Sequence, residues 1–212
     1  MEARAALFET MRWTRRCLRL PQHLERMCRS AEVFDIPFDR QRAQTEALAA
    51  TSGLDGSRMH RVKLTLWPDG QFDVCTTCVD PDDLIINAVA IYPEPLPSDA
   101  LWARHKTTER SVYEAAHAYA RQLGADEAIV MNERGEVMEG SYTNLWVMQG
   151  ENLVTPPVEA TGGLPGIHRC EMLRRDPMAR EGILKERDIH DAQGVFVGNA
   201  LRGLQRVAVL DA

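Results

Sequence analysis

Residues 139–157, EGSYTNLWVMQGENLVTPP, followed by GLPGIHR at 163–169, decide how this chain is read. EVMEGSYTNLWVM and LVTP are rich in apolar and β-branched residues and are separated by QGEN, so they read as strands joined by glycine-containing turns. AIVMN and ERG just upstream continue the pattern. LPGIHRCEMLRR at 164–175 reads as a loop running into a helix, and GVFVGN at 194–199 as a short buried strand ending at a turn.

Working outward, TTERSVYEAAHAYARQLG at 107–124 has helical spacing and stops at Gly124. Before it, AVAIYPEPLPSDA at 88–100 carries Pro93, Pro95 and Pro97, which resist helix, and reads as a connector. In the N-terminal half, Leu20, Leu24, Met27, Ala31 and Phe34 recur at helical spacing, and Asp39 is placed to cap a second helix that stops near Gly53. RVKLTLW and QFDVCTTC alternate around Pro68-Asp69-Gly70, the chemistry of a hairpin turn. The expected organisation is α+β: a small N-terminal subdomain over residues 1–95 and a larger one over 96–212.

The chain has 212 residues, 44% of them hydrophobic, enough for a buried core. A net charge of -6 with the two signs interleaved gives no field for a phosphate backbone, so nucleic acid is not an expected partner. The opening MEARAALFETMRW has charges at positions 2 and 4, and no stretch approaches a membrane span. A cytoplasmic location with reduced cysteines is the expectation. Cys75 and Cys78 form a single CxxC on a strand, where residues three apart face opposite ways, so no metal site is expected.

Of 25 basic side chains only Lys63, Lys106 and Lys185 are lysines, which narrows the candidates for amine chemistry. Lys63 shares a strand face with Arg61, opposite Val62, Leu64 and Leu66, and reads as solvated; Lys185 sits in the polar KERD. Lys106, in LWARHKTTER, lies just after the connector and just before a helix. Arg104 and His105 beside it are the kind of cationic neighbours that activate a nucleophilic lysine.

HLERMCRSA, KTTER, EGSYTNLW with TPP, and LPGIHR occur in this order from residue 23 to 169. Together they resemble the fold type IV pyridoxal-phosphate enzymes, the branched-chain and D-amino-acid aminotransferase-like group, and the resemblance runs from LFETMR at residue 7 to NALRGL at 199–204. It implies a two-subdomain fold and pyridoxal 5'-phosphate carried on Lys106 as a Schiff base, the freed lysine then removing a substrate α-proton. Glu139 matches the carboxylate that pairs with the pyridine nitrogen. Gly166, Ile167 and His168 match the loop whose amides hold the cofactor phosphate at a helix N-terminus, with His168 where a threonine is usual. Arg26 matches an arginine on the same phosphate, Asn199 a phosphate contact from a second turn, and Arg12 and Arg61 positions that face the substrate.

Within the group, RHKTTERSVY, GLPGIHR and NALRGL look most like the aminodeoxychorismate lyases, which form 4-aminobenzoate and pyruvate for folate synthesis. Transaminases commonly place a tyrosine five residues after the lysine, where this chain has Ser111. The alternatives are an aminotransferase for branched-chain or D-amino acids, or a non-catalytic scaffold of the same fold. Relatives are homodimers whose active site borrows a loop from the partner, so a homodimer acting on a small-molecule substrate is implied.

Overall fold

The computed structural model describes residues 5–210, so the charged positions 2 and 4 lie outside the described residues. The chain divides into two compact units: Met1–Leu84 with His105–Glu109, and Ile85–Arg104 with Arg110–Ala212. The division differs from the expected boundary after residue 95 in two respects. Residues 85–95 belong to the second unit, and the segment carrying Lys106 belongs to the first.

The first unit opens with strand β1 (Leu7–Trp13), whose burial alternates along its length with Leu7, Glu9, Met11 and Trp13 inward. Helix α1 (Leu20–Val33) has Pro21 in its first turn, where a missing N–H costs nothing. It buries Leu20, His23, Leu24, Arg26, Met27, Ser30 and Ala31, the expected apolar stripe with a histidine and an arginine set into it. Helix α2 (Arg40–Thr51) is capped as expected, Asp39 Oδ1 accepting from the Arg42 amide at 3.0 Å. Strands β2 (His60–Leu66) and β3 (Phe72–Cys78) form the expected hairpin, with Gly70 at φ +82° in its turn. The sheet runs β1-β2-β3, antiparallel throughout, over one core that includes Leu7, Met11, Leu24, Met27 and Leu64. Cys75 and Cys78 are exposed on β3.

The second unit contains β4 (Ala88–Ile91), α3 (Leu101–Arg104), α4 (Ser111–Gln122), β5 (Glu127–Met131), β6 (Val137–Gly140), β7 (Asn144–Gln149), β8 (Asn152–Thr155), α5 (Val158–Thr161), α6 (Ile167–Arg175), β9 (Ala179–Glu181), α7 (Glu186–His190), β10 (Gly194–Asn199) and β11 (Gly203–Leu210). They build an eight-stranded mixed sheet in the order β6-β5-β4-β11-β10-β7-β8-β9. AVAI, expected to be part of a connector, is the inner strand β4, parallel to both β5 and β11. A strand buried on both faces reads as a plain apolar run without alternation, which four residues before a proline-rich stretch do not distinguish from a linker. EVMEGSYTNLWVM breaks into β6 and β7 at residues 141–143. Helix α4 begins at Ser111, later than its sequence pattern, because residues 106–108 pair with β1 instead. Among the described residues no helix is long and apolar enough to cross a membrane.

Candidate active site

In the first unit, Lys106 lies in a turn whose backbone is bonded alongside β1. The Phe8 amide donates to the Lys106 carbonyl at 2.9 Å, Thr107 bridges Leu7, and the Thr108 amide donates to the Ala6 carbonyl at 2.8 Å. These bonds fix the Lys106 backbone, and its Nζ lies 4.5 Å from the centroid of the Phe8 ring. A phenyl face attracts an ammonium without neutralising it. Lys63 Nζ lies 5.0 Å from the same ring, so a lysine that reads as merely solvated shares Phe8 with Lys106. Arg104 donates to the Ser98 carbonyl at 3.2 Å, and His105 meets Ser30 Oγ at 2.9 Å and the edge of Phe34.

Arg26 is only 6% exposed rather than on a solvated helix face. Its Nε donates to Glu9 Oε1 at 2.8 Å and its Nη2 to Glu9 Oε2 at 2.7 Å, a two-pronged pair, and His23 Nδ1 meets Glu9 Oε2 at 2.6 Å. Burial alone would raise the Glu9 carboxyl, but Arg26 and His23 together bring it down to about 2. Burial lowers His23, outweighing the pull of Glu9 in the other direction. Arg12 and Arg61 face each other across the β1–β2 register. Two like charges so placed repel, and Arg12 Nε is buried with no hydrogen-bond partner among the described residues, so this face suits an anion.

In the second unit, Glu139 is the penultimate residue of β6 and is 5% exposed. Tyr113, on the first turn of α4, donates to Glu139 Oε1 at 2.6 Å. Asn144 Nδ2 lies 3.4 Å from Glu139 Oε2 and donates to the Leu164 carbonyl at 3.0 Å. Asn144 thereby ties the EGSYTN segment to the LPGIHR loop. Gly166 caps α6, and a Cβ there would fall 1.8 Å from Asn144 Oδ1, so only glycine lets the loop close on Asn144. The α6 N-terminus, at Ile167 and His168, presents first-turn amides and the positive end of the helix dipole.

Glu127, 0% exposed, holds residues 141–143 and is not singled out by the sequence. Its Oε1 accepts from the Ala128 amide at 2.8 Å, the Ser141 amide at 2.9 Å and the Ser141 hydroxyl. Its Oε2 accepts from Thr143 Oγ1 at 2.8 Å and the Tyr142 amide at 3.2 Å. These bonds make the break between Glu139 and Asn144. Asn199 is held by its own turn. Its Oδ1 accepts from the Leu201 and Arg202 amides at 3.0 and 2.9 Å, and its Nδ2 donates to the Tyr142 carbonyl at 3.0 Å, so its side chain shapes the NALRGL turn.

Within each unit the residues suit pyridoxal phosphate. The first supplies an amine over an aromatic face and a buried arginine; the second supplies a buried, hydrogen-bonded carboxylate and a glycine-capped helix N-terminus. Tyr113, Asn144 and Glu127 are the functional candidates that the sequence did not reveal. Asn144 had a usable signal, since it is the asparagine of the EGSYTN motif itself.

Among solved structures, a protein from Mesorhizobium loti provisionally named an amino-acid aminotransferase is 32% identical, with a TM-score of 0.88 over 97% of this chain and 100% of that one. One from Legionella pneumophila, provisionally named 4-amino-4-deoxychorismate lyase, is 24% identical, with a TM-score of 0.79 over 97% and 83%. The branched-chain amino acid aminotransferase of Escherichia coli is 17% identical, with a TM-score of 0.79 over 97% and 76%. The two below 25% identity share the fold. No curated protein matches. The amino-transferase class IV family matches residues 6–210, and the chain therefore belongs to that family of fold type IV pyridoxal-phosphate enzymes.

Proposed function

We propose that this chain catalyses the pyridoxal-phosphate-dependent elimination that converts 4-amino-4-deoxychorismate to 4-aminobenzoate and pyruvate. The observation that carries the cofactor chemistry is the Glu139 carboxylate, buried and held by Tyr113 at 2.6 Å, suited to pair with a protonated ring nitrogen. The cofactor, when bound, supplies the carbonyl that condenses with an amine and the ring that takes up an electron pair. Lys106 is the residue that would attach it and then move the α-proton. Arg26 and the amides at Gly166, Ile167 and His168 would hold its phosphate, and Arg12 and Arg61 would take substrate carboxylates. Asn199, from the NALRGL turn, would add a further contact to that phosphate.

What favours elimination over amino transfer is the start of α4. Ser111 stands where transaminases commonly carry tyrosine, and the hydroxyl of Tyr113, two residues on, is committed to Glu139. Aromatisation of the substrate then drives the released electron pair toward elimination. Amino transfer is the second reading, favoured by the 32% identity to the Mesorhizobium loti protein over that protein's whole length.

The test is to supply aminodeoxychorismate and follow 4-aminobenzoate, then amino acids with 2-oxoglutarate and follow glutamate. Aromatic product without glutamate is expected; robust glutamate with no aromatic product overturns the elimination. Borohydride reduction followed by peptide mapping should find the cofactor on Lys106, and a label on Lys63 or Lys185 overturns the lysine's role. The homodimer implied by the relatives is read by light scattering, with a monomer as the contrary result.

A further inference from the structure

We infer that Tyr113 is a positioning residue of this site, acting through its hydrogen bond to Glu139 to hold that carboxylate as the anion, in one fixed plane, that a protonated ring nitrogen requires. The inference rests on the pairing of Glu139 with the cofactor's ring nitrogen proposed above.

The geometry leaves Tyr113 little freedom. Its ring is buried on α4, edge to face with Trp102 at 5.7 Å between centroids, and the Arg110 guanidinium lies 4.8 Å from its centroid. Arg110 is itself anchored to the Ser141 carbonyl. With the ring held, the hydroxyl has only its own rotation left, and it points at Glu139 Oε1. Burial, reinforced by the Glu139 charge, pushes the phenol well above 10, so Tyr113 stays protonated and the bond runs from tyrosine to carboxylate.

This fixed direction sets the chemistry. A carboxylate that accepts a hydrogen bond from a donor that does not ionise is stabilised as the anion relative to the acid. A proton shared between that carboxylate and a ring nitrogen therefore rests on the nitrogen, which is the state that withdraws electrons from a substrate carbanion. The contact on the other side, from Asn144 Nδ2, is longer at 3.4 Å and is shared with the Leu164 carbonyl, so Tyr113 supplies the stronger bond. The helix that follows the reactive lysine thus contributes to the electron sink through the second residue of its SVYEAA run beyond Ser111, and not through Ser111 itself.

The experiment is a double-mutant cycle on the full chain reconstituted with pyridoxal phosphate labelled with ¹⁵N in the ring. Wild type, Tyr113→Phe, Glu139→Gln and the double variant are compared by the ¹⁵N chemical shift of the ring nitrogen and by the rate of substrate α-proton exchange with solvent. Phe keeps the ring packing and removes only the hydroxyl. Tyr113→Phe should move the ring nitrogen toward its unprotonated shift and slow exchange by about tenfold, the loss of one hydrogen bond to a charged group. In the Glu139→Gln background the same change should alter neither reading by more than about twofold, because two residues acting as a unit are not additive. An unmoved ¹⁵N shift in Tyr113→Phe, or equal effects in both backgrounds, overturns the role of Tyr113 while Glu139 stands. An unmoved shift in Glu139→Gln alone overturns the Glu139 pairing, and the inference falls with it.

Discussion

Glu9 and Glu127 are both buried glutamates, 1% and 0% exposed, yet their surroundings shift them in opposite directions. Glu9 meets a full positive charge in Arg26 and is brought down to about 2 against the cost of burial. Glu127 meets only amides and hydroxyls from residues 128 and 141–143, and burial leaves its carboxyl raised despite them. Neutral donors shape a loop around a carboxylate without fully replacing its hydration; a guanidinium does so with charge. The first unit thus spends a buried ion pair on fixing α1 against β1, and the second spends a buried acceptor on the turn that sets Glu139 apart from Asn144.

The contrast breaks most visibly at Arg26. Arg26→Ala strands the Glu9 charge in the core, and urea denaturation should register a loss of about 3–5 kcal/mol. A loss below about 1 kcal/mol would mean that Arg26 serves ligand binding alone. Cofactor affinity in this variant should be read only under conditions where it is folded.

Acid separates the two sites next. Glu9 is depressed, so its contribution is present above its ordinary 4.5 and lost as pH falls toward about 2, a change worth about 3 kcal/mol. His23, also depressed, adds a loss of the same sign below its ordinary 6.5. Glu127 is raised, so its contribution has the opposite sign: present below its ordinary 4.5 and lost as pH rises through its folded value. Glu9→Gln should therefore flatten the acid limb of the stability profile, whereas Glu127→Gln should not; the reverse pattern would mean the carboxylates are assigned the wrong way round.

At neutral pH, Glu127→Gln turns an amide NH₂ toward donors from Thr143 and Tyr142, or toward those from Ser141, and should cost about 1–3 kcal/mol in thermal or urea unfolding. The smallest effect is expected for Thr143→Val, which removes a single donor to Glu127 Oε2 for about 1 kcal/mol. A Thr143→Val loss as large as that of Glu127→Gln would show that one hydroxyl, rather than the set of donors, holds the turn.

Much of the architecture was legible because its causes are local. Asp39 caps α2 from three residues away, Gly70 takes the turn between β2 and β3, and the stripe of α1 follows from helical period alone. The stripe also held a clue that was passed over, since His23 and Arg26 fall on the same face as Leu20 and Met27 and so had to be buried with a partner. β4 was missed because a strand buried on both faces lacks the alternation that marks a half-exposed one.

By itself the sequence determined the family, through a set of motifs along the chain, and the hairpin and the principal helices, through short-range order. Tertiary structure alone decided the pairing of Arg26 with Glu9 across 17 residues, Tyr113 with Glu139 across 26, and Glu127 with donors 14 to 16 residues on. It also decided that Lys106 belongs with β1, through backbone bonds to a strand about a hundred residues earlier. The reason is physical: a motif records which groups are present, but the partner of a buried polar group is whichever complementary atom strand register and helix packing bring within hydrogen-bond distance.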